Sequence, residues 1–286
     1  MDGPTSPTNN TLPTTSSLPT NLLQQTWSHI YHTYTPAQIE LTITLLNPLL
    51  TFWLAGFVLT YLLPSPPFTK FQPASRQPSQ PKILRAALYS LRNQLVVHGL
   101  QGLELFFPIP SFGPLGKLVR KPRFRIEEEL PAVGEVVWQV AVALVIREVL
   151  FYYSHRVFHW RGVYRWVHKM HHEYVTPVAW SAQYCTVLEH IVANVLPILI
   201  PGIVLRMHIL TFSLWAGSQS LQATIDHAGW NTWLWWQARS HDRHHELFKV
   251  NFGTNGLLDW LHGTQDKVPR NKVMGDAEVG EKMHYD

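Results

Sequence analysis

Between Leu41 and Thr69 the chain carries no charged side chain, and residues 41–63 are predicted to form a membrane-spanning helix, since roughly 20 apolar residues cross a hydrocarbon core. Pro64-Ser65-Pro66-Pro67 ends that run. Residues 1–38, rich in Thr, Ser, Pro and Asn, are expected to stay a flexible polar tail. They lack the basic start of a cleavable signal peptide, and Asn9-Asn10-Thr11 is a glycosylation sequon if this end is luminal. Residues 70–93 read as a basic, proline-punctuated connection. The apolar segment 94–112 is broken by Glu104, two glycines, Pro108 and Pro110, so spanning, re-entrant and interfacial placements all stay open. After a charged stretch at 117–129, residues 131–153 are a second spanning candidate. Residues 187–225 are about twice the spanning length, with Arg206-Met207-His208 near the middle, which predicts a helical hairpin that crosses and returns. No fixed-period repeat is visible.

The expected fold is therefore all-α: an integral membrane bundle of about four transmembrane helices under a histidine-lined cap. The chain divides into a tail (1–38), N-terminal membrane segments with a basic connection (39–130), a catalytic region (131–270) and a C-terminal tail (271–286). A returning hairpin puts residues before 187 and after 226 on the same membrane side. The first 69 residues contain no Lys or Arg, which suits a luminal N-terminus, whereas Arg147, Arg156, Arg161, Arg165 and Lys169 favour a cytosolic face for the region that follows. Spanning by 94–112 would conflict with that rule, because it makes the basic loop 111–130 luminal. Arg147 and Glu148 are expected to pair with each other at a membrane boundary.

Composition supports a membrane setting. Charged residues are 15% of the 286, against roughly a quarter in ordinary soluble domains, and the twelve tryptophans suit an interface. Trp233, Trp235 and Trp236 either anchor the cap there or pack inside it. A single cysteine, Cys185, excludes an intramolecular disulfide framework and a cysteine-built zinc ribbon. The net charge of +4 is scattered, with no basic run or helix-turn-helix pattern, which argues against nucleic-acid binding. The sixteen histidines are the anomaly.

Eight of them fall in three clusters: His155 and His159; His168, His171 and His172; His241, His244 and His245. Spacings of three and four residues put side chains on one helical face, so each cluster can aim two or three imidazoles at one point. Imidazole suits iron, zinc and copper, and eight ligands exceed the four of a tetrahedral zinc site, so two metals are the economical reading. Histidines without chemical role explain one cluster far more easily than three. A metal transporter or sensor should carry its ligands inside spanning helices, whereas these lie at or beyond helix ends. The metalloprotease motif H-E-x-x-H is absent, since His172-Glu173 and His245-Glu246 lack the second histidine.

His227, directly after the hairpin, is a ninth candidate ligand. His190, beside Glu189, fits a supporting or interfacial role better than ligation. His98, His208 and His262 read as structural, and His29, His32 and His284 lie in expected tails. Glu189, Asp226, Asp242 and Asp259 are candidates for orienting ligand rings, because ligand histidines usually donate their second nitrogen to a carboxylate or carbonyl. Ordinary helix capping or surface charge is the alternative for each.

Over residues 131–266 the order and spacing of the clusters, Asp226-His227-Ala228-Gly229 and the run Asn251-Phe252-Gly253, Leu258-Asp259, Gly263-Thr264 resemble the fatty acid hydroxylase and sterol desaturase superfamily of membrane di-iron enzymes. Within it, sterol C-4 methyl oxidases carry a histidine shortly after the tyrosine of the stretch Trp180–Glu189. Here Thr186 stands at that position, which is closer to cholesterol 25-hydroxylase-like members.

The resemblance implies two irons, O2 as co-substrate, electrons from NAD(P)H through cytochrome b5 and its reductase, and an endoplasmic reticulum membrane with the histidines on the cytosolic side. It implies hydroxylation of an unactivated C–H bond in a sterol, terpenoid or fatty-acyl substrate. Desaturation, by a second hydrogen abstraction, is the alternative within the same superfamily, and substrate geometry decides between them. An apolar substrate is expected to enter from the bilayer, between the hairpin and the earlier helices.

Overall fold

The computed structural model describes residues 18–63, 68–107, 123–231 and 236–267. The sequon at 9–11, Pro64–Pro67, Trp233, Trp235, His284 and the C-terminal tail at 271–286 lie outside them. The described residues are mainly helical: α1 (Leu18–Thr33), α2 (Pro36–Leu62), α3 (Gln80–Phe106), α4 (Val133–Phe158), α5 (Arg161–Val167), α6 (Val187–Val204), α7 (Ile209–His227), α8 (Trp236–Leu247) and α9 (Leu257–His262). Two short strands, β1 (Thr69–Lys70) and β2 (Trp230–Asn231), pair antiparallel.

Two helices, α2 and α6, are long and apolar enough to cross a bilayer. In α2, Leu45, Leu46, Leu49, Leu50, Leu54 and Phe57 face outward. On α4 an exposed apolar stripe runs Trp138, Val142, Val145, Val149 at the three-and-four spacing of one helical face. Contiguous exposed apolar surface of this kind needs an apolar covering, and lipid supplies one. The inward face of α2 packs closely: Gly56 touches the Trp180 indole, where an added Cβ would sit 2.3 Å from Nε1.

A helical hairpin stands where it is expected, and of its two helices α6 has the length and apolarity that a crossing needs. Helices α6 and α7 are joined by a turn in which Arg206 adopts a left-handed φ of 48°, and the His208 side chain caps α7 by accepting from the Leu210 N–H. Pro197 has no N–H to return to the preceding turn of α6, and the residues before it, His190–Val195, widen into a π-helical stretch.

Three boundaries differ from expectation. Residues 18–33 form a helix, because Trp27 has a buried place to go: it joins the core of Ile39, Phe124, Met207, Ile209 and Trp215, and its indole N–H donates to the Glu127 carbonyl at 2.8 Å. Of the segment expected at 94–112, residues 108–112 lie outside the described residues, and 94–106 are the end of a 27-residue helix that begins within the expected basic connection, at Gln80. Its buried face includes Ser90, Asn93 and Gln94, which bond to Trp180, Gln183 and Cys185. Finally, α4 runs five residues past the expected end at 153, carrying His155 on its last turn.

Candidate metal centre

Four separated segments converge on one buried point. The end of α4 supplies His155 and His159, four residues apart on one face. The turn after α5 supplies His168, His171 and His172. The end of α7 supplies His227, and α8 supplies His241, His244 and His245. Both ends of the α6–α7 hairpin thus meet at the same place. The nine nitrogens sort into two groups: His155, His159, His168, His172 and His244, then His171, His227, His241 and His245, each with its ligand atoms within 4.8 Å of one another. Each H-x-x-H-H motif serves both groups. His168 and His172 go to the first and His171 to the second, whereas His241 and His245 go to the second and His244 to the first. The groups abut, with the rings of His172 and His245 4.8 Å apart.

Tautomers follow from the outer hydrogen bonds. A carbonyl oxygen can only accept, so each Nδ1 facing one must carry the hydrogen. His155 donates to Phe252 O (2.8 Å), His244 to Val250 O (2.6 Å), His227 to Ala223 O (2.8 Å) and His171 to Tyr184 O (3.3 Å). A neutral ring protonated at Nδ1 has a bare lone pair at Nε2. The Nε2 atoms of His171 and His227 nevertheless face each other at 3.3 Å. Those of His155 and His168 lie 3.1 Å apart, and His168 gives its Nδ1 to Glu189 at 2.6 Å. Lone pairs pointed at each other repel unless a cation sits between them. Moreover, His159 Nε2 is buried without a partner. Nine inward-facing imidazoles with these orphaned nitrogens fit metal ions of the iron, zinc and copper type.

The electrostatics agree with this reading. Burial first, then neighbouring imidazoles, hold His159, His168, His172 and His245 well below the ordinary histidine range. The rings therefore stay neutral, the form that ligates metal.

A loop at 250–264 fixes two of these rings through its carbonyls, and two buried carboxylates hold the loop. Glu148 accepts the Thr254 and Asn255 backbone N–H groups (2.8 and 3.0 Å), and Asp259 accepts those of Phe252 and Gly253 (2.8 and 2.7 Å). Gly253 fits between them: a Cβ there would lie 2.5 Å from Glu148 Oε1 and 2.9 Å from Asp259 Oδ2.

Of the four carboxylates expected to orient rings, Glu189 contacts one. Among the described residues, the other three have no hydrogen bond to an imidazole. Asp226 lies beside Arg147 and Gln222, Asp242 accepts from Arg239 (3.0 Å) and Gln72 (3.2 Å), and Asp259 holds the loop. Backbone carbonyls take the role instead, which composition cannot reveal. Arg147 and Glu148 do not pair as expected, because successive residues on a helix point to different sides: Arg147 donates to Gln222, and Glu148 faces the loop. Glu148 and Gly253 were missed by sequence reasoning; the glycine beside the Asn251-Phe252 pair was the available signal. His190 is buried beside Asn194, outside both groups, and His262 contacts Tyr153.

A cavity of about 260 Å³ leads to the second group. His227 and His241 stand in its wall, and it extends along α7 to Phe212, bounded by Ile43, Ile198 and Leu199.

Residues 140–264 match the family model for fatty acid hydroxylase. The human fatty acid hydroxylase domain-containing protein 2 is 32% identical over 206 residues, covering 71% of this chain and 59% of its own. A putative methylsterol monooxygenase of Dictyostelium discoideum is 26% identical over 80% of this chain and 84% of its own. A very-long-chain aldehyde decarbonylase of Oryza sativa subsp. japonica is 28% identical over 91% and 98%. Against the relatives named for fatty acid hydroxylase, the chain spans about half of their length, from 36% to 59%. No solved structure matches. All nine converging histidines fall inside the matched residues, so it is residues 140–264 that place this chain with the fatty acid hydroxylase family.

Proposed function

We propose that this protein is a membrane oxygenase that holds two iron ions in its nine histidines and hydroxylates an unactivated C–H bond of a lipid-like substrate. The observation that carries the reading is the facing of bare Nε2 atoms at 3.1 and 3.3 Å in two adjoining groups. The first group supplies five nitrogens to one ion and the second supplies four to the other. Bound iron, with O2 and electrons from NAD(P)H through a cytochrome b5-type donor, supplies the oxidising chemistry. The protein's own part is positional: neutral rings keep their lone pairs inward, the loop at 250–264 prevents them turning, and the cavity brings one C–H bond to His227 and His241.

A sterol-like or acyl substrate is supported by relatives named as methylsterol monooxygenases and as a very-long-chain aldehyde decarbonylase. The apolar faces of α2 and α4 and the α6–α7 hairpin support four spans, and Arg156, Arg161, Arg165 and Lys169 beside the first histidines support a cytosolic placement of the centre at the endoplasmic reticulum membrane. Cells expressing the wild type should accumulate a lipid heavier than its precursor by one oxygen atom, and His171→Ala should abolish it while membrane insertion persists. Purified wild type should hold two irons per chain. Full activity in both His171→Ala and His244→Ala would refute the assignment, and a product lighter by two hydrogens would make the protein a desaturase.

A further inference from the structure

The cavity wall changes character along its length, and does so on two helices at once. On α7, moving away from His227, the lining runs Asp226, Ala223, Ser220, Gln219 and then Ala216, Ser213 and Phe212. On α6, where Glu189 marks the metal end through His168, it runs His190, Asn194 and then Ile198 and Leu199. The end near the histidines is mainly polar, and at the far end Phe124, Ile198, Leu199 and Phe212 stand among further polar groups.

Hydrogen-bonding capacity is distributed the same way. Gln219 Oε1, Ser220 Oγ and Asp226 Oδ1 are buried and have no partner. Gln219 as a residue is only 5% exposed. The polar groups at the far end are already engaged with one another: Thr44 donates to Gln101 Oε1 (3.1 Å), His98 lies 3.3 Å from that same oxygen, and Asn47 donates to the Ser213 carbonyl (2.7 Å). A buried acceptor left unmade costs about 1–3 kcal/mol, so the free atoms mark where a ligand's polar group is favoured.

Resting on the oxygenase reading above, we propose that Gln219, Ser220 and Asp226 receive the polar group of an amphipathic substrate, which binds with that group inward and its hydrocarbon trailing towards Phe212 and Leu199. Ser220 precedes His227 by about two helical turns, roughly 10 Å along α7. The oxidised carbon then lies within roughly that distance of the polar group. Oxidation at the far end of a long hydrocarbon is excluded by this placement. These three are positioning residues, acting on the substrate's orientation.

Photolabelling reads the orientation directly. Two hexadecanol probes are used with the full-length protein in detergent, one bearing a diazirine beside the hydroxyl and one beside the terminal methyl. The first should label residues 190–194 and 216–227, and the second residues 43–48 and 198–212. A reversed or indiscriminate pattern, or no label in the cavity of a protein with normal helical content, overturns the proposal. The double variant Gln219→Leu, Ser220→Ala should lower labelling by the first probe about five-fold at equal probe concentration, from the loss of about one net hydrogen bond. Unchanged labelling overturns it. Because label position is read rather than turnover, the result holds with or without iron, and failure of the metal assignment would show separately in the metal content.

Discussion

Replacing Gly253 by alanine tests whether the loop at 250–264 sets the histidine geometry. The added methyl would lie 2.5 Å from Glu148 Oε1 and 2.9 Å from Asp259 Oδ2, where ordinary contact begins near 3.4 Å, so it must open roughly an ångström of space. Neither carboxylate can retreat without losing backbone N–H donors: Thr254 and Asn255 for Glu148, Phe252 and Gly253 for Asp259. Overpacking of this kind costs about 1–3 kcal/mol. The strain should fall on Phe252, whose carbonyl holds His155, and on neighbouring Val250, whose carbonyl holds His244. Both rings belong to the first group, so that ion should bind about 10–100-fold more weakly, the usual range for a lost outer partner. Metal content after dialysis against a graded chelator series, with thermal unfolding in the same detergent, measures both effects. Wild-type metal retention and an unchanged melting temperature would show that the loop does not govern the rings.

Glu189→Gln keeps a hydrogen-bond acceptor for His168 but removes the charge, and should weaken metal retention by about ten-fold with little change in helicity; chelator competition checks it. Trp27→Ala empties a buried site in the core beneath the hairpin turn and should cost about 3–5 kcal/mol, read as a lower melting temperature and faster proteolysis of α1. The metal-free protein should lose stability in acid. His168, His171, His172, His244 and His245 sit well below 6.5 when folded, by burial first, so unfolding takes up protons once the pH falls below about 6.5. The histidine contribution should be level above that value and decline beneath it, against an opposite contribution from Asp242, whose carboxyl burial raises to about 7. With five rings against it the net profile should still fall, and a flat one down to pH 5 refutes the assigned burial.

The histidine clusters were legible because their spacing is local: three- and four-residue intervals place side chains on one helical face whatever the rest of the chain does. The hairpin was legible from the length of the apolar stretch and the polar triplet inside it, and its return explains why His227 meets His171. Their sorting into two groups was not legible, because His171 and His172 are neighbours in sequence and part company only through the packing of α4, α7 and α8 around them. The ring-orienting acceptors were misjudged for a related reason. A search for carboxylates sees side chains, whereas the acceptors at His155, His171, His227 and His244 are backbone oxygens that every residue carries. Residues 18–33 read as a tail because their composition is polar; the burial of one tryptophan, Trp27, and its bond to Glu127 reverse that reading.

In the proposed two-ion centre, the crossing of the two H-x-x-H-H motifs ties the fates of the ions. Each motif spends two nitrogens on one ion and one on the other, so neither motif can be removed to leave a complete mononuclear site. The first ion to arrive orders both motifs, and the second then meets ligands whose freedom has already been surrendered. Loading should therefore be all-or-none, with half-filled protein scarce at any iron supply. The same bond makes the centre brittle over evolutionary time. A lineage that loses either whole motif strips ligands from both groups together, so loss of the chemistry by that route is expected as one abrupt step.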